Sequence, residues 1–135
     1  MPIQQTFVIL KPDCQERGLI GKIISRFEDK FLRVVRIGSQ QKDEDWCRQH
    51  YAHLNDEIYE KQKDFMSCAP LIGIILEGPD AIDVVRKMVG KTNSLLAEPG
   101  TIRFDYGTYP VRYNIIHAAD SEEAVKRERG LFFNE

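Results

Sequence analysis

The sequence predicts an α+β fold in β-α-β-β-α-β order, a four-stranded antiparallel sheet with helices covering it, in one domain of residues 1–135. Three observations predict it. β-Favouring apolar runs recur near residues 5–11, 32–37, 71–77 and 113–116. Stretches with the three- and four-residue spacing of amphipathic helices separate the first run from the second and the third from the fourth. The run Leu71 to Glu77 is apolar almost throughout, as suits a strand central in its sheet or covered on both faces. A small doubly wound parallel sheet would need more strand–helix units than the chain offers.

The elements follow in order. Residues 5–11 make a strand closed by Lys11-Pro12-Asp13, where proline ends the ladder and turns the chain. From Leu19 onward Ile20, Ile23, Ile24, Phe27 and Phe31 mark the buried face of a helix. Leu32 to Ile37 is rich in β-branched residues and ends near Gly38. Asp43 caps a short helix whose first turn carries Glu44 and Asp45, where negative charge suits the helix dipole, and a second helical stretch covers Tyr59 to Phe65. After the strand from Leu71, Gly78-Pro79 starts a helix with Ile82, Val85 and Val89 on one face, stopped at Gly90. Residues 90–113 show no sustained period and predict a long ordered loop of the kind that carries function. Tyr113 to Ile116 make a last short strand ending at His117, and Asp120-Ser-Glu-Glu123 predicts a capping box for a helix ending near Gly130.

Composition narrows the function classes. At 135 residues, 42% hydrophobic and 30% charged, the chain suits a soluble globular domain. A net charge of −2 gives no general attraction to nucleic acid or anionic lipid, so no nucleic-acid partner is expected. The longest apolar run, Leu71 to Leu76, falls far short of the about 20 residues that span a bilayer, so no membrane partner is expected. Cys14, Cys47 and Cys68 are odd in number, widely spaced and without metal-ligand spacing. They fit a reducing compartment. With no secretory pattern at the N-terminus, a cytoplasmic location is expected.

Chemistry concentrates at Asn114-Ile-Ile-His117-Ala-Ala-Asp120-Ser121, which sets a histidine at the end of an apolar strand before a capped helix. Alone, such a histidine suits a helix-start hydrogen bond as well as catalysis. Glu128, eleven residues on in the following helix, is placed to reach back if that helix folds against the strand. A carboxylate on one imidazole nitrogen fixes the tautomer and leaves the other free to attack. Cations stand where element ends converge: Lys11 after the first strand, Arg86 on the later helix, Arg103 and Arg112 in the loop. Singly, each suits a solvated surface; Pro99-Gly-Thr-Ile-Arg103, however, joins a tight turn, a hydroxyl and a planar guanidinium, groups that bind phosphate oxygens. With no Walker sequence or Gly-x-Gly-x-x-Gly, side chains would have to hold a polyphosphate.

These segments resemble the nucleoside diphosphate kinase family along nearly the whole chain. The matching stretches are Thr6 to Asp13, Arg17 to Ile24, His50-Tyr51, Gly90-Lys-Thr-Asn93, Pro99 to Arg103 and Asn114 to Ser121. The resemblance implies a ferredoxin-like fold, ping-pong transfer between nucleoside tri- and diphosphates, Mg2+ bridging the outer phosphates, and a homo-oligomer, hexamer or tetramer, built from dimers. It makes His117 the nucleophile and assigns Lys11 to the transferred phosphate and sugar, and Asn114 to the sugar 3′-hydroxyl. It assigns Arg86, Thr92 and Arg103 to the phosphates, with Tyr51 near them. Tyr59 takes the place of an aromatic that stacks on the base; read without the family, it suits a partly buried core aromatic equally. The magnesium needs no dedicated protein cage, because substrate phosphates and water hold most of its shell.

The chain also departs from the family pattern. Cys14 and Phe104 stand where glycine or another small residue is usual, and Ala119 replaces a serine beside the histidine. Ser94 and Ala97 replace a usual proline and serine. The spacing from Tyr51 to Pro70 is one residue short, and that from Arg103 to Asn114 one long. Phe104 predicts a reshaped loop, and the shortened segment an altered base contact. A catalytically weak nucleotide-binding regulatory or scaffold protein of the same fold is the alternative these departures leave open.

Overall fold

The structure, a computed structural model, describes residues 2–135. Four strands, β1 (Ile3–Leu10), β2 (Arg33–Gln40), β3 (Leu71–Pro79) and β4 (Ile116–Ala118), form one antiparallel sheet in the order β2-β3-β1-β4. The central pair, β1 and β3, is the most apolar in sequence, because only its strands are covered on both faces and paired on both edges. Helices α1 (Pro12–Glu16), α2 (Ile20–Asp29), α3 (Glu44–His50), α4 (Asp56–Met66), α5 (Ala81–Val89), α6 (Ile102–Tyr106) and α7 (Glu122–Phe133) complete the fold.

Strand alternation divides the core in two. Val8, Leu10, Ile74 and Leu76 point to one face, where Ile23 and Phe27 of α2 and Val85 and Val89 of α5 cover them. Phe7, Ile9 and Ile75 point to the other, against Trp46 of α3 and Phe132 and Phe133 of α7. The two crossover helices thus share one face, and the other face carries a second layer. Gly73 lets α7 approach: a Cβ there would stand 2.5 Å from the Phe132 ring.

Several boundaries differ from the sequence expectation. Ser121, not Asp120, caps α7 by accepting the Ala124 N–H at 3.0 Å, and the helix runs past Gly130 to Phe133 because its last turn buries Phe132 and Phe133. Pro79 closes β3 instead of opening α5. Phe31 lies beyond α2, at φ +61° and 90% exposed, so it is not part of that helix's buried face. The stretch 90–113 is ordered as expected, but holds α6 and two single 3-10 turns, Ser94–Leu96 and Val111–Tyr113. The last strand begins at Ile116, after a left-handed residue at Ile115 (φ +74°) breaks the extended path, so His117 sits in the middle of β4 and not at its end.

Candidate active site

His117 pairs with Ile9 in the sheet. Its neighbours Ile116 and Ala118 point into the first core layer, so alternation aims the imidazole at the opposite face, between α3 and α7. There Glu128 Oε1 meets His117 Nε2 at 2.6 Å. Glu128 is 5% exposed, and its reach back along α7 matches the sequence expectation. With Nε2 engaged, Nδ1 is the ring nitrogen left for chemistry.

A cavity of about 920 Å³ opens beside this ring. Lys11, Arg86, Thr92, Arg103 and Asn114 all line it, as does Tyr51. The sequence places these residues on six separate segments, and short bonds knit them together. Lys11, the first residue past β1, donates from Nζ to Asn114 Oδ1 at 2.8 Å, and Asn114 Nδ2 donates to the Thr92 carbonyl at 2.8 Å. Arg103, held on α6 by the Thr101 cap, donates to the Gly90 carbonyl at 3.0 Å and to the Ile116 carbonyl at 2.6 Å. Gly90 turns its carbonyl toward that guanidinium at φ +87°, a conformation glycine adopts readily. Arg86 donates to the Ala118 carbonyl at 3.4 Å.

Burial and crowding of like charge make this wall hungry for anions. Burial, then the Arg103 charge, brings the Lys11 ammonium down to about 7, although Asp13 opposes the shift. Burial and the neighbouring Arg86 bring Arg103 down to about 10. Its Nε is buried without a partner. A phosphate group would supply the missing negative charge and acceptors. Burial, followed by Cys47 and Glu128, pushes the Tyr51 hydroxyl up, keeping it a neutral hydrogen-bond group.

Tyr59 does not line the cavity. It is 8% exposed in the second core layer, beneath the Arg48 guanidinium at 5.4 Å, as the core reading of this residue expects. Ile58, about 100° away around α4, takes the cavity side together with Gln62 one turn later. The shortened spacing before Pro70 accounts for the one-residue offset. Arg112 also stays outside; it lies over the Tyr113 ring at 5.0 Å and borders a smaller pocket.

The structure adds residues to which sequence reasoning gave no role. His50 packs edge-on to His117 with ring centroids 4.8 Å apart and stacks on Trp46 at 4.6 Å. Burial, then His117, holds its basicity well below the histidine range, so it adds no charge beside the nucleophile candidate. Leu54, Ile58 and Val111 form an apolar part of the lining, and Asp120 adds a carboxylate. The four-residue spacing of Ile58 and Gln62 was the available signal for α4; His50 stood in the matching pair His50-Tyr51 without a role of its own, and nothing local marks Val111.

The substituted positions Cys14, Phe104 and Ala119 lie away from the lining. Cys14 is buried in the first core layer, with its thiol pushed up to about 12 by burial, then by Asp13. Ala119 is buried in the second layer. Phe104 sits in the first turn of α6 with its N–H bonded to Thr101 Oγ1, half exposed and helical. A glycine is not required there, so the expected reshaping of the loop takes the form of one ordinary helical turn.

Comparison with known proteins agrees with this geometry. A family model described as nucleoside diphosphate kinase matches residues 4–135. A nucleoside diphosphate kinase of Methanocaldococcus jannaschii is 48% identical over 134 residues, 98% of this chain and 94% of the relative. The solved structure of a halophilic nucleoside diphosphate kinase from Halobacterium salinarum in complex with CDP superposes with a TM-score of 0.92 at 39% identity, covering 99% of this chain and 90% of that one. A transition state mimic of the Borrelia burgdorferi enzyme with bound vanadate and ADP superposes at 0.90 and 34% identity, covering 97% of this chain and 87% of that one. With its whole fold and nearly its whole length matched, the chain belongs to the nucleoside diphosphate kinase family.

Proposed function

We propose that this chain, a phosphotransferase of that family, moves the terminal phosphate of a nucleoside triphosphate to a nucleoside diphosphate through phospho-His117. The observation that carries the reading is the 2.6 Å contact of Glu128 with His117 Nε2 beside a wall of buried cations. In the first half-reaction His117 Nδ1 attacks the terminal phosphorus in line, the bond to the bridging oxygen breaks, and the diphosphate leaves. Glu128 holds the ring and balances the positive charge that develops on it. Lys11, Arg86 and Arg103 balance the charge on the equatorial oxygens, while Thr92, Asn114 and Tyr51 orient phosphate and sugar. The second half-reaction runs the same steps backward with a new diphosphate.

The donor set fits Mg2+ held chiefly by substrate phosphates and water. Asp120 is the exposed carboxylate on the lining, the other, Glu128, being engaged by His117. When bound, the ion would neutralise phosphate charge. Nucleoside di- and triphosphates are the proposed partners. The apolar lining of Leu54, Ile58 and Val111 suits a base held by contact area. A homo-oligomer built from dimers, hexamer or tetramer, is proposed as well. The outer edge of β2, with Val35 38% and Ile37 50% exposed, supports it as a surface for a second copy. Free Cys14, Cys47 and Cys68 suit a cytoplasmic location. Cys14, Phe104 and Ala119, which motivated the catalytically weak alternative, do not line the cavity, so no observation favours it.

The test is labelling with γ-labelled ATP. Acid-labile, base-stable label on the protein, discharged by a nucleoside diphosphate and lost in His117→Ala, is the expected result. Absence of label, or label that survives His117→Ala, rejects the reading.

A further inference from the structure

Between Asn114 and His117 the backbone takes a path that its side chains disfavour. Ile115 stands at φ +74°, in the left-handed half of conformational space that β-branched residues rarely enter. Ile116 N–H donates to the Asn114 carbonyl at 2.8 Å, closing a three-residue turn about Ile115, the rare and strained kind of γ-turn. Ile115 and Ile116 are fully buried, so no solvent stabilises the turn.

Two bonds from the chain after β1 hold it. Lys11 N–H donates to the Ile115 carbonyl at 2.9 Å, and Ile115 N–H donates to Asp13 Oδ2 at 3.1 Å. Asp13 is 5% exposed, in the first turn of α1, and does not line the cavity. Yet the residues that flank the turn, Asn114 before it and His117 after it, both do. Asn114 holds the Lys11 ammonium and the Thr92 carbonyl, the Ile116 carbonyl takes Arg103 at 2.6 Å, and His117 follows directly.

We propose that Asp13 is a positioning residue for phosphoryl transfer, its buried carboxylate holding the strained Ile115 turn that sets Asn114, Arg103 and His117 around one phosphate site. This rests on the phosphohistidine reading above. Without the carboxylate the Ile115 N–H is buried with no acceptor, the turn relaxes toward extended backbone, and His117 moves relative to the cations. The carboxylate acts through one oxygen: Asp13 Oδ1 is buried without a partner. An asparagine can therefore keep the same bond through its carbonyl oxygen. Burial makes the Asp13 carboxyl a weaker acid than usual, in keeping with a group enclosed for its acceptor and not for a solvated charge.

The test uses the full chain and its Asp13→Ala and Asp13→Asn variants, with three readouts: the single-turnover rate of phosphohistidine formation at saturating ATP, the ADP dissociation constant, and thermal melting. Because displacing reacting groups by about 1 Å costs on the order of 100-fold in rate, Asp13→Ala should label at least about tenfold more slowly while ADP affinity changes less than about threefold. Asp13→Asn should stay within about threefold of the parent rate, since the acceptor remains. A purely structural role would lower the folded fraction and leave the rate of the folded molecules unchanged. That result, or an Asp13→Asn as slow as Asp13→Ala, overturns the proposal. If Asp13→Ala does not fold, Asp13→Glu replaces it, keeping the charge but displacing the acceptor; slow labelling is expected there and a parental rate refutes the assignment. A parent chain that takes no label refutes instead the functional reading on which the proposal rests.

Discussion

Glu128 meets His117 Nε2 at 2.6 Å from a helix whose cap, Ser121, lies between the two residues in sequence. The cap fixes where α7 starts, the helical rise fixes where its second turn ends, and the carboxylate arrives at the ring as a consequence. Replacing Glu128 by alanine should lower the rate of phosphohistidine formation by about 10²-fold, the scale of a positioned acid–base partner. Nucleotide affinity should change little, because the phosphate-facing cations remain. Stopped-flow labelling with ATP and ADP titration of the same variant check both halves; equal loss in rate and affinity would mean that Glu128 supports the cavity as a whole.

Much of this arrangement was legible in the sequence. His117, Lys11, Arg103 and Asn114 stand in motifs whose residue types fit phosphate chemistry, and the strand and helix periods placed them near element ends. Two kinds of feature were not legible. The start of β4 depends on a backbone reversal at Ile115 that follows from its bonds to Asp13 and Lys11, residues more than a hundred positions away. The side of α4 that faces the cavity depends on a one-residue shift in spacing, and a helix turned by about 100° exchanges Tyr59 for Ile58.

That exchange predicts opposite behaviour for neighbouring residues. Tyr59→Ala removes a buried ring and should destabilise the fold by about 3 kcal/mol, as large-to-small core changes do, with ADP affinity preserved in the folded protein. Ile58 is 45% exposed on the cavity side, so Ile58→Ala should cost little stability but weaken ADP binding roughly fivefold, the equivalent of about 1 kcal/mol of apolar contact. Denaturant melts paired with calorimetric titration separate the two. The reverse pattern would return the base contact to Tyr59.

Phe104 offers a test of whether a family-like glycine improves this chain. It occupies a helical position whose N–H is bonded to the Thr101 hydroxyl, and it lacks the positive φ that makes glycine useful. Phe104→Gly should therefore destabilise the protein by roughly 0.5 kcal/mol through helix propensity alone and leave turnover unchanged. A rise in turnover would show that the side chain obstructs the loop.

Lys11 makes nucleotide binding depend on pH in a direction that its environment fixes. In the free protein, burial and Arg103 hold its ammonium near 7, so at pH 8 most Lys11 is neutral. A bound diphosphate brings negative charge to the same wall and raises the proton affinity of Lys11. Binding at pH 8 should thus take up a proton, and affinity should fall as pH rises from 7 toward 10, because the free state becomes costlier to protonate. Titration of ADP without magnesium in buffers of different ionisation enthalpy measures the uptake directly, and above pH 8 the diphosphate itself contributes almost no protonation change. Expected is a net gain approaching one proton per site, lost in Lys11→Met. No uptake in the parent chain, or the same uptake in Lys11→Met, would place the titrating group elsewhere on the cavity wall.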